Sequence, residues 1–150
     1  MIANVGVFDR EALPLRILVV DDNKDAADSM GLLLRMWGFD VRVAYDGQEA
    51  LTAASAYRPD CCLSDIDMPG IDGYHLAQHV RRDMALRGVT LVAITAYSDE
   101  ARAKAAGFDY HFVKPADPLA VEEMLRKLRT MGKRLDQTEE LVPGSQGATP

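Results

Sequence analysis

The chain has 150 residues, 48% of them hydrophobic, with two cysteines, a net charge of -6 and a pI near 5.0. That length suits one domain with an ordinary core, and the acidic balance opposes non-specific binding to nucleic acid or anionic membrane. No apolar run approaches the roughly eighteen residues of a membrane span, and no basic-then-apolar leader opens the chain. A cytoplasmic protein with neither nucleic acid nor membrane as direct partner is expected.

In chain order, residues 1–14 precede any periodic pattern and read as an N-terminal extension. Leu15 to Val20 (LRILVV) is a branched apolar run of strand type. Asn23 to Trp37 follows with Met30, Leu33, Leu34 and Trp37 at helical spacing, which predicts a helix with Trp37 in the core. Gly38 is its left-handed cap, Val41 and Val43 alternate in a second strand, and Asp46-Gly47-Gln48-Glu49 forms a capping box for a helix through Tyr57. Asp60 to Ser64 is a third strand. Cys61 and Cys62 point to opposite faces of it and cannot readily bridge, so both are reduced core residues. Asp72 caps a third helix from Gly73 to about Leu86, ending at Gly88, and Thr90 to Ile94 is a fourth strand. Ser98 caps a fourth helix that stops at Gly107, Tyr110 to Val113 is a fifth strand, and Asp117-Pro118 opens a last helix to about Met131. The polar stretch 132–150 reads as a flexible tail.

Five strands alternating with five helices argue for a doubly wound α/β fold around a parallel sheet. In such a sheet all strand ends of one sense share an edge, where ligands bind. Strand one delivers Asp21 and Asp22 there, strand three Asp65, strand four Thr95 and strand five Lys114. Carboxylates gathered in this way repel by roughly 4 kcal/mol per pair at about 4 Å and an effective dielectric of about 20. A hard divalent cation offsets that, and Mg2+ suits carboxylates, a backbone carbonyl, waters and a phosphate oxygen. The lysine supplies a point charge for phosphoryl oxygens and the threonine a hydroxyl donor, while a carboxylate among them can attack phosphorus to give an aspartyl phosphate.

The motifs VVDDN (Val19 to Asn23), SDIDMPGIDG (Ser64 to Gly73), ITA (Ile94 to Ala96) and VKP (Val113 to Pro115) are spaced as in receiver domains of two-component response regulators, and the chain resembles that family from Leu15 to about Met131. The resemblance implies a flavodoxin-like fold of strand order 2-1-3-4-5 and a receiver domain over 15–131. It implies Asp65 as phosphoacceptor, Asp21 and Asp22 on Mg2+, the backbone carbonyl of Asp67 on the same ion, Lys114 on the phosphoryl group and Thr95 as the mobile switch hydroxyl. Small Ala96 leaves the phosphoryl group accessible, and the Lys114-Pro115 bond is cis by the same likeness. The implied donor is a phosphohistidine on a sensor histidine kinase or histidine phosphotransfer protein. The implied output is a changed surface on helix four, strand five and helix five.

Two positions depart from the common family pattern. His111 stands where many receivers carry Tyr or Phe, placing a ring that ordinarily titrates near neutral pH at the switch position. Asp67 replaces a neutral or smaller side chain, so its carboxylate is expected to alter the lifetime of the acyl phosphate. His75 and His79, at i and i+4, lack an evident third metal ligand. The rival reading is a haloacid-dehalogenase-like phosphohydrolase, with Asp65 as nucleophile and Asp67 as acid and base. Such enzymes place an acidic pair after the lysine, whereas here it lies upstream at Asp21 and Asp22. The expectation is therefore a self-modifying signalling switch, not an enzyme. A single-domain regulator and the receiver of a hybrid sensor kinase, which GFDYHFVKPAD resembles, both stay open, as does homodimerisation.

Overall fold

The computed structural model describes residues 13–96 and 99–131. Five strands, β1 (Arg16–Val20), β2 (Asp40–Ala44), β3 (Cys61–Ser64), β4 (Thr90–Thr95) and β5 (Tyr110–Val113), pair in parallel in the order β2-β1-β3-β4-β5. Between them run α1 (Lys24–Met36), α2 (Gly47–Tyr57), α3 (Gly73–Arg82) and α4 (Glu100–Ala106), and α5 spans 118–131. This is the expected doubly wound, flavodoxin-like receiver fold. The described residues form two compact units: Pro14–Ala116, with the sheet and first four helices, and a second that holds α5. Within α5, Val121, Met124 and Leu125 are buried. The extension over 1–14 and the tail over 132–150 fall almost wholly outside the described residues.

Alternation along each strand sorts the sheet residues into two faces. Leu18, Val20, Cys62, Leu91 and Ala93 share one buried cluster with Ala50 and Ala54 of α2, Leu76 and Val80 of α3, and Ala103 and Ala106 of α4. The alternate residues Ile17, Val19, Cys61, Leu63 and Val92 are equally buried on the opposite face, where α1 packs. Gly31 of α1 lies so close to β2 that an added Cβ would stand 2.9 Å from Val43 Cγ2. The buried line of α1 is therefore Ala27, Gly31 and Leu34. Trp37, expected in the core, is instead the half-buried C-cap. With glycine at the contact the helix axis sits close to the sheet, and residues off that narrow line turn partly to solvent.

Local chemistry explains most of the boundaries. Asn23 caps α1 by accepting from Ala26 N–H at 3.1 Å, and Gly38 follows the helix at φ +95. Asp46 accepts from Glu49 N–H at 2.7 Å, while Glu49 reaches back to Tyr45 N–H at 2.8 Å, one residue before the cap. Asp72 caps α3 as expected, accepting from His75 N–H at 2.9 Å. That helix ends at Arg82, one turn earlier than the periodicity suggested. Asp83 takes an extended backbone, its side chain accepts from Ala85 N–H at 2.9 Å, and its carbonyl accepts from Leu86 and Arg87 N–H, so a new turn replaces the last helical one. At α4 the cap is Asp99, which accepts from Arg102 N–H at 3.0 Å; Ser98, the expected cap, lies outside the described residues. Both cysteines are free and buried, and burial pushes the Cys62 thiol up to about 12. No helix among the described residues is long and apolar enough to cross a membrane.

Candidate functional site

The two central strands bring the acidic residues together. Four buried residues of β1 lead to Asp21, and four of β3 lead to Asp65. The ladder continues past both strand ends, with Asp21 N–H donating to Ala44 O at 3.2 Å and Asp65 N–H to Val20 O at 2.9 Å. The carboxylates must therefore emerge side by side. One oxygen each of Asp21, Asp22 and Asp65 lies within 4.8 Å of the others.

Lys114 closes the group from the sheet edge. Its N–H donates to Thr95 O at 2.8 Å, and its Nζ donates to Asp21 Oδ2 at 3.1 Å and Asp65 Oδ2 at 3.3 Å. The Lys114-Pro115 bond is cis. Thr95 ends β4 buried at 1% exposure, followed by exposed Ala96. A cavity of about 130 Å³ opens beside this group, lined by Asp21, Asp65 and Lys114 on its polar side and by Ala26, Met30 and Ile94 on its apolar side.

The second oxygens of Asp21 and Asp65 are also engaged. Asp21 Oδ1 accepts from Asn23 N–H at 3.0 Å, and Asp65 Oδ1 accepts from Ile66 N–H at 2.7 Å. Asp67 sits apart, exposed in the loop between buried Ile66 and Met68. His111 lies opposite Ala93 in the β4–β5 register, on the sheet face that Thr95 shares, with its Nε2 buried and without a partner. Asp72 binds His75 Nδ1 at 2.8 Å, and neither His75 nor His79 joins a cluster of three metal-ligating groups among the described residues.

Three supports of the site were not apparent from spacing. Ser64, buried, donates its hydroxyl to Asp65 O at 2.7 Å. Gly73 is pressed against the acceptor loop, where an added Cβ would lie 2.5 Å from Asp65 O and 2.6 Å from Ile66 Cα. Gly47 is pressed against the far end of the same loop, 2.5 Å from Ile71 O by the same construction. The two Asp-Gly pairs that open α2 and α3 were the available signal. They read as helix starts, whereas here the missing side chains also let two helix N-termini clamp the loop.

Burial raises the Asp65 carboxyl above its ordinary range, opposed by Lys114 and the Ile66 N–H and reinforced by the Asp21 charge. Burial also works against the Lys114 charge, but the hydrogen bond to Asp21 and the two carboxylate charges outweigh it, so its ammonium holds its proton more tightly than usual. A buried negative charge with one shared cation is under-compensated, which is where a divalent ion fits. Three carboxylate oxygens within 4.8 Å of one another form a donor set of the hard, anionic kind that Mg2+ takes. Without a cation, the contribution of Asp65 to stability is fully present below the ordinary value of 3.8 and is lost as pH rises through its higher folded value. Thermal unfolding in a chelator should therefore show Asp65→Asn melting above wild type at neutral pH, with the gap closing toward pH 4. A variant that melts below wild type at neutral pH would contradict this.

Known proteins place the same geometry in context. The profile described as response regulator receiver domain matches residues 17–126. The chain is 31% identical over 134 residues to the DNA-binding dual master transcriptional regulator RpaA of Synechocystis, covering 87% of this chain and 54% of RpaA. It is 36% identical over 121 residues to the DNA-binding response regulator MtrA of Mycobacterium tuberculosis, covering 81% and 52% respectively. The chain thus spans about half the length of these curated relatives.

Among solved structures, a putative response regulator from Chloroflexus aurantiacus superposes with a TM-score of 0.72 at 31% identity, covering 78% of this chain and 98% of that one. The receiver domain of a signal transduction histidine kinase from Syntrophus aciditrophicus superposes with a TM-score of 0.73 at 29% identity, covering 79% and 92%. These relatives correct one expectation. The absence of nucleic acid among the partners was drawn from a net charge of -6, yet the curated relatives are DNA-binding proteins. The charge of a receiver governs what its own surface attracts, not what a longer protein containing it binds. Fold, acidic pair, strand-end lysine and profile agree, and the chain belongs to the response regulator receiver domain family.

Proposed function

We propose that this receiver is a phosphorylation switch in which Asp65 attacks the phosphorus of a phosphohistidine donor and holds the resulting acyl phosphate. The observation that carries the reading is Lys114 Nζ shared between Asp21 and Asp65 at 3.1 and 3.3 Å, beside a cluster of three carboxylate oxygens. Asp21 and Asp22, with Asp65 and the Asp67 carbonyl, would hold Mg2+. The ion supplies charge neutralisation at the phosphoryl oxygens.

Each Asp65 oxygen accepts one hydrogen bond, Oδ1 from Ile66 N–H and Oδ2 from Lys114, which orients the carboxylate while leaving a lone pair for attack. Lys114 would follow charge from carboxylate to phosphoryl oxygen, and Thr95 would exchange its resting contacts for one from its hydroxyl to the same group. Both changes pass into β5 through the Lys114–Thr95 backbone bond. The surface of α4 and β5 is the proposed readout. Exposed Asp67 would tune the lifetime of the acyl phosphate, and His111, with its unpartnered buried nitrogen, would act as the ring of the switch. The donor would be a sensor histidine kinase or a histidine phosphotransfer protein in the cytoplasm. By likeness to the DNA-binding relatives, the output would be a regulatory one. Modification of its own carboxylate followed by slow hydrolysis is the proposed chemistry, in place of turnover of an external phosphate ester.

Incubation with acetyl phosphate and Mg2+, followed by intact-mass measurement, should show one phosphoryl group on wild type and none on Asp65→Asn. A wild type that gains no mass removes the proposed function, and a variant that still gains it removes the site assignment. The decay of the same species should change in Asp67→Asn. His111→Phe responding as wild type from about pH 6 to about pH 8 would remove any pH bias from the imidazole.

A further inference from the structure

α3 and α4 lie side by side on one sheet face and are joined at both ends by arginines of unequal hold. At the end away from the site, Arg81 of α3 donates to Gly107 O at 3.0 and 2.7 Å, to Arg87 O at 2.8 Å, to Val89 O at 2.6 Å and to Asp109 Oδ2 at 2.7 Å. Gly107, which ends α4 at φ +119, is seated on the stem of that arginine, since a Cβ there would lie 2.8 Å from Arg81 Cγ. At the site end, the Arg102 guanidinium of α4 rests over the Tyr74 ring of α3, 4.0 Å from its centroid. A single exposed cation–π contact is weak beside two hydrogen bonds to Gly107 O and an ion pair with Asp109. Between these ends α4 buries only Ala103 and Ala106, whose methyl groups add little hold.

We infer that α4 is hinged at Gly107 on the Arg81 clamp and latched at its first turn by Arg102 on Tyr74, and that this latch stabilises the unphosphorylated state of the switch. The inference rests on Asp65 being the phosphoacceptor. The Tyr74 half of the latch adjoins that site, and the Arg102 half follows it in sequence. Tyr74 follows Gly73, which abuts the Asp65 carbonyl, and α4 starts at Glu100, five residues beyond Thr95. When Thr95 moves toward a phosphoryl group, the first turn of α4 is drawn with it and the ring contact breaks. The Arg81 end, held by two hydrogen bonds to Gly107 O and a charged one to Asp109 just beyond it, stays in place, so the motion is a rotation about Gly107 and not a shift of the whole helix.

Two measurements on the full chain test this. Amide hydrogen exchange over 100–106 should quicken about 2- to 5-fold in Arg102→Ala and in Tyr74→Leu, and stay near wild type in Tyr74→Phe, which keeps the ring face. The initial rate of phosphoryl gain from acetyl phosphate with Mg2+ should rise by a similar 2- to 5-fold in the same two variants, because a weakened resting state shifts the population toward the reactive one. Arg102→Ala exchanging at the wild-type rate would show that no latch exists. Faster exchange with an unchanged rate of phosphoryl gain would show that the latch does not bear on the switch. If wild type itself gains no phosphoryl group, the proposed function fails first and takes this role of the latch with it.

Discussion

Gly73→Ala should slow phosphoryl gain at Asp65 by on the order of 10- to 100-fold, although position 73 bears no chemistry. The new methyl would lie 2.5 Å from the Asp65 carbonyl oxygen and 2.6 Å from Ile66 Cα, and both are backbone atoms that cannot rotate away. Either α3 retreats from the sheet or the end of β3 moves, and the second route carries the carboxylate off Lys114 and Asp21. Stability should fall by about 1–3 kcal/mol, the usual cost of overpacking. Gly70→Ala is the control. It sits at φ +77, so alanine there is strained locally, but an added Cβ meets nothing within 4 Å. That variant should lose some stability while keeping its reaction rate. Equal rates in wild type and Gly73→Ala would mean that the glycine does not position the acceptor.

Arg81→Met should lower the thermal midpoint by roughly 10 °C, corresponding to about 2–4 kcal/mol in a domain of this size. The methionine retains the aliphatic stem but leaves the carbonyls of Gly107, Arg87 and Val89 without their donor. It also strips the ion pair from Asp109, whose carboxylate still accepts from Leu91 N–H at 2.8 Å. One guanidinium thus fastens the end of α3 to the starts of β4 and β5. Arg81→Lys should recover less than half of the loss, since a single ammonium cannot serve three carbonyls fanned around a planar fork. A midpoint within about 2 °C of wild type for Arg81→Met would show that water replaces these bonds at little cost.

The parts of this molecule that were legible in its sequence are those decided by neighbours along the chain. Apolar runs of strand length, helical spacing and the caps at Asp46 and Asp72 depend on residues three or four positions apart, and these reappear in the structure. The misreadings have a common cause. Trp37 belongs to the apolar stripe of α1 by spacing, but the approach of Gly31 to Val43 across the fold sets how wide a stripe is buried. The last turn of α3 has helical composition, yet Asp83 starts a turn of its own, beside an arginine whose partners lie as far along the chain as Asp109. The nucleic-acid expectation failed for another reason, since formal charge describes a surface and not the proteins in which that surface is found.

By itself the sequence determined the alternation of strands and helices, and with it which polar residues stand at strand ends, because backbone hydrogen bonding and side-chain periodicity are local. It also singled out Asp21, Asp22, Asp65, Thr95 and Lys114, since parallel strands have one carboxyl edge. Only the tertiary structure decided that Lys114 is shared between Asp21 and Asp65, that two glycines clamp the acceptor loop, and that α4 is fastened firmly at one end and lightly at the other. Those facts depend on distances of a few ångströms between residues up to 93 positions apart. Such distances are set by how helices settle on the sheet, which no spacing along the chain encodes.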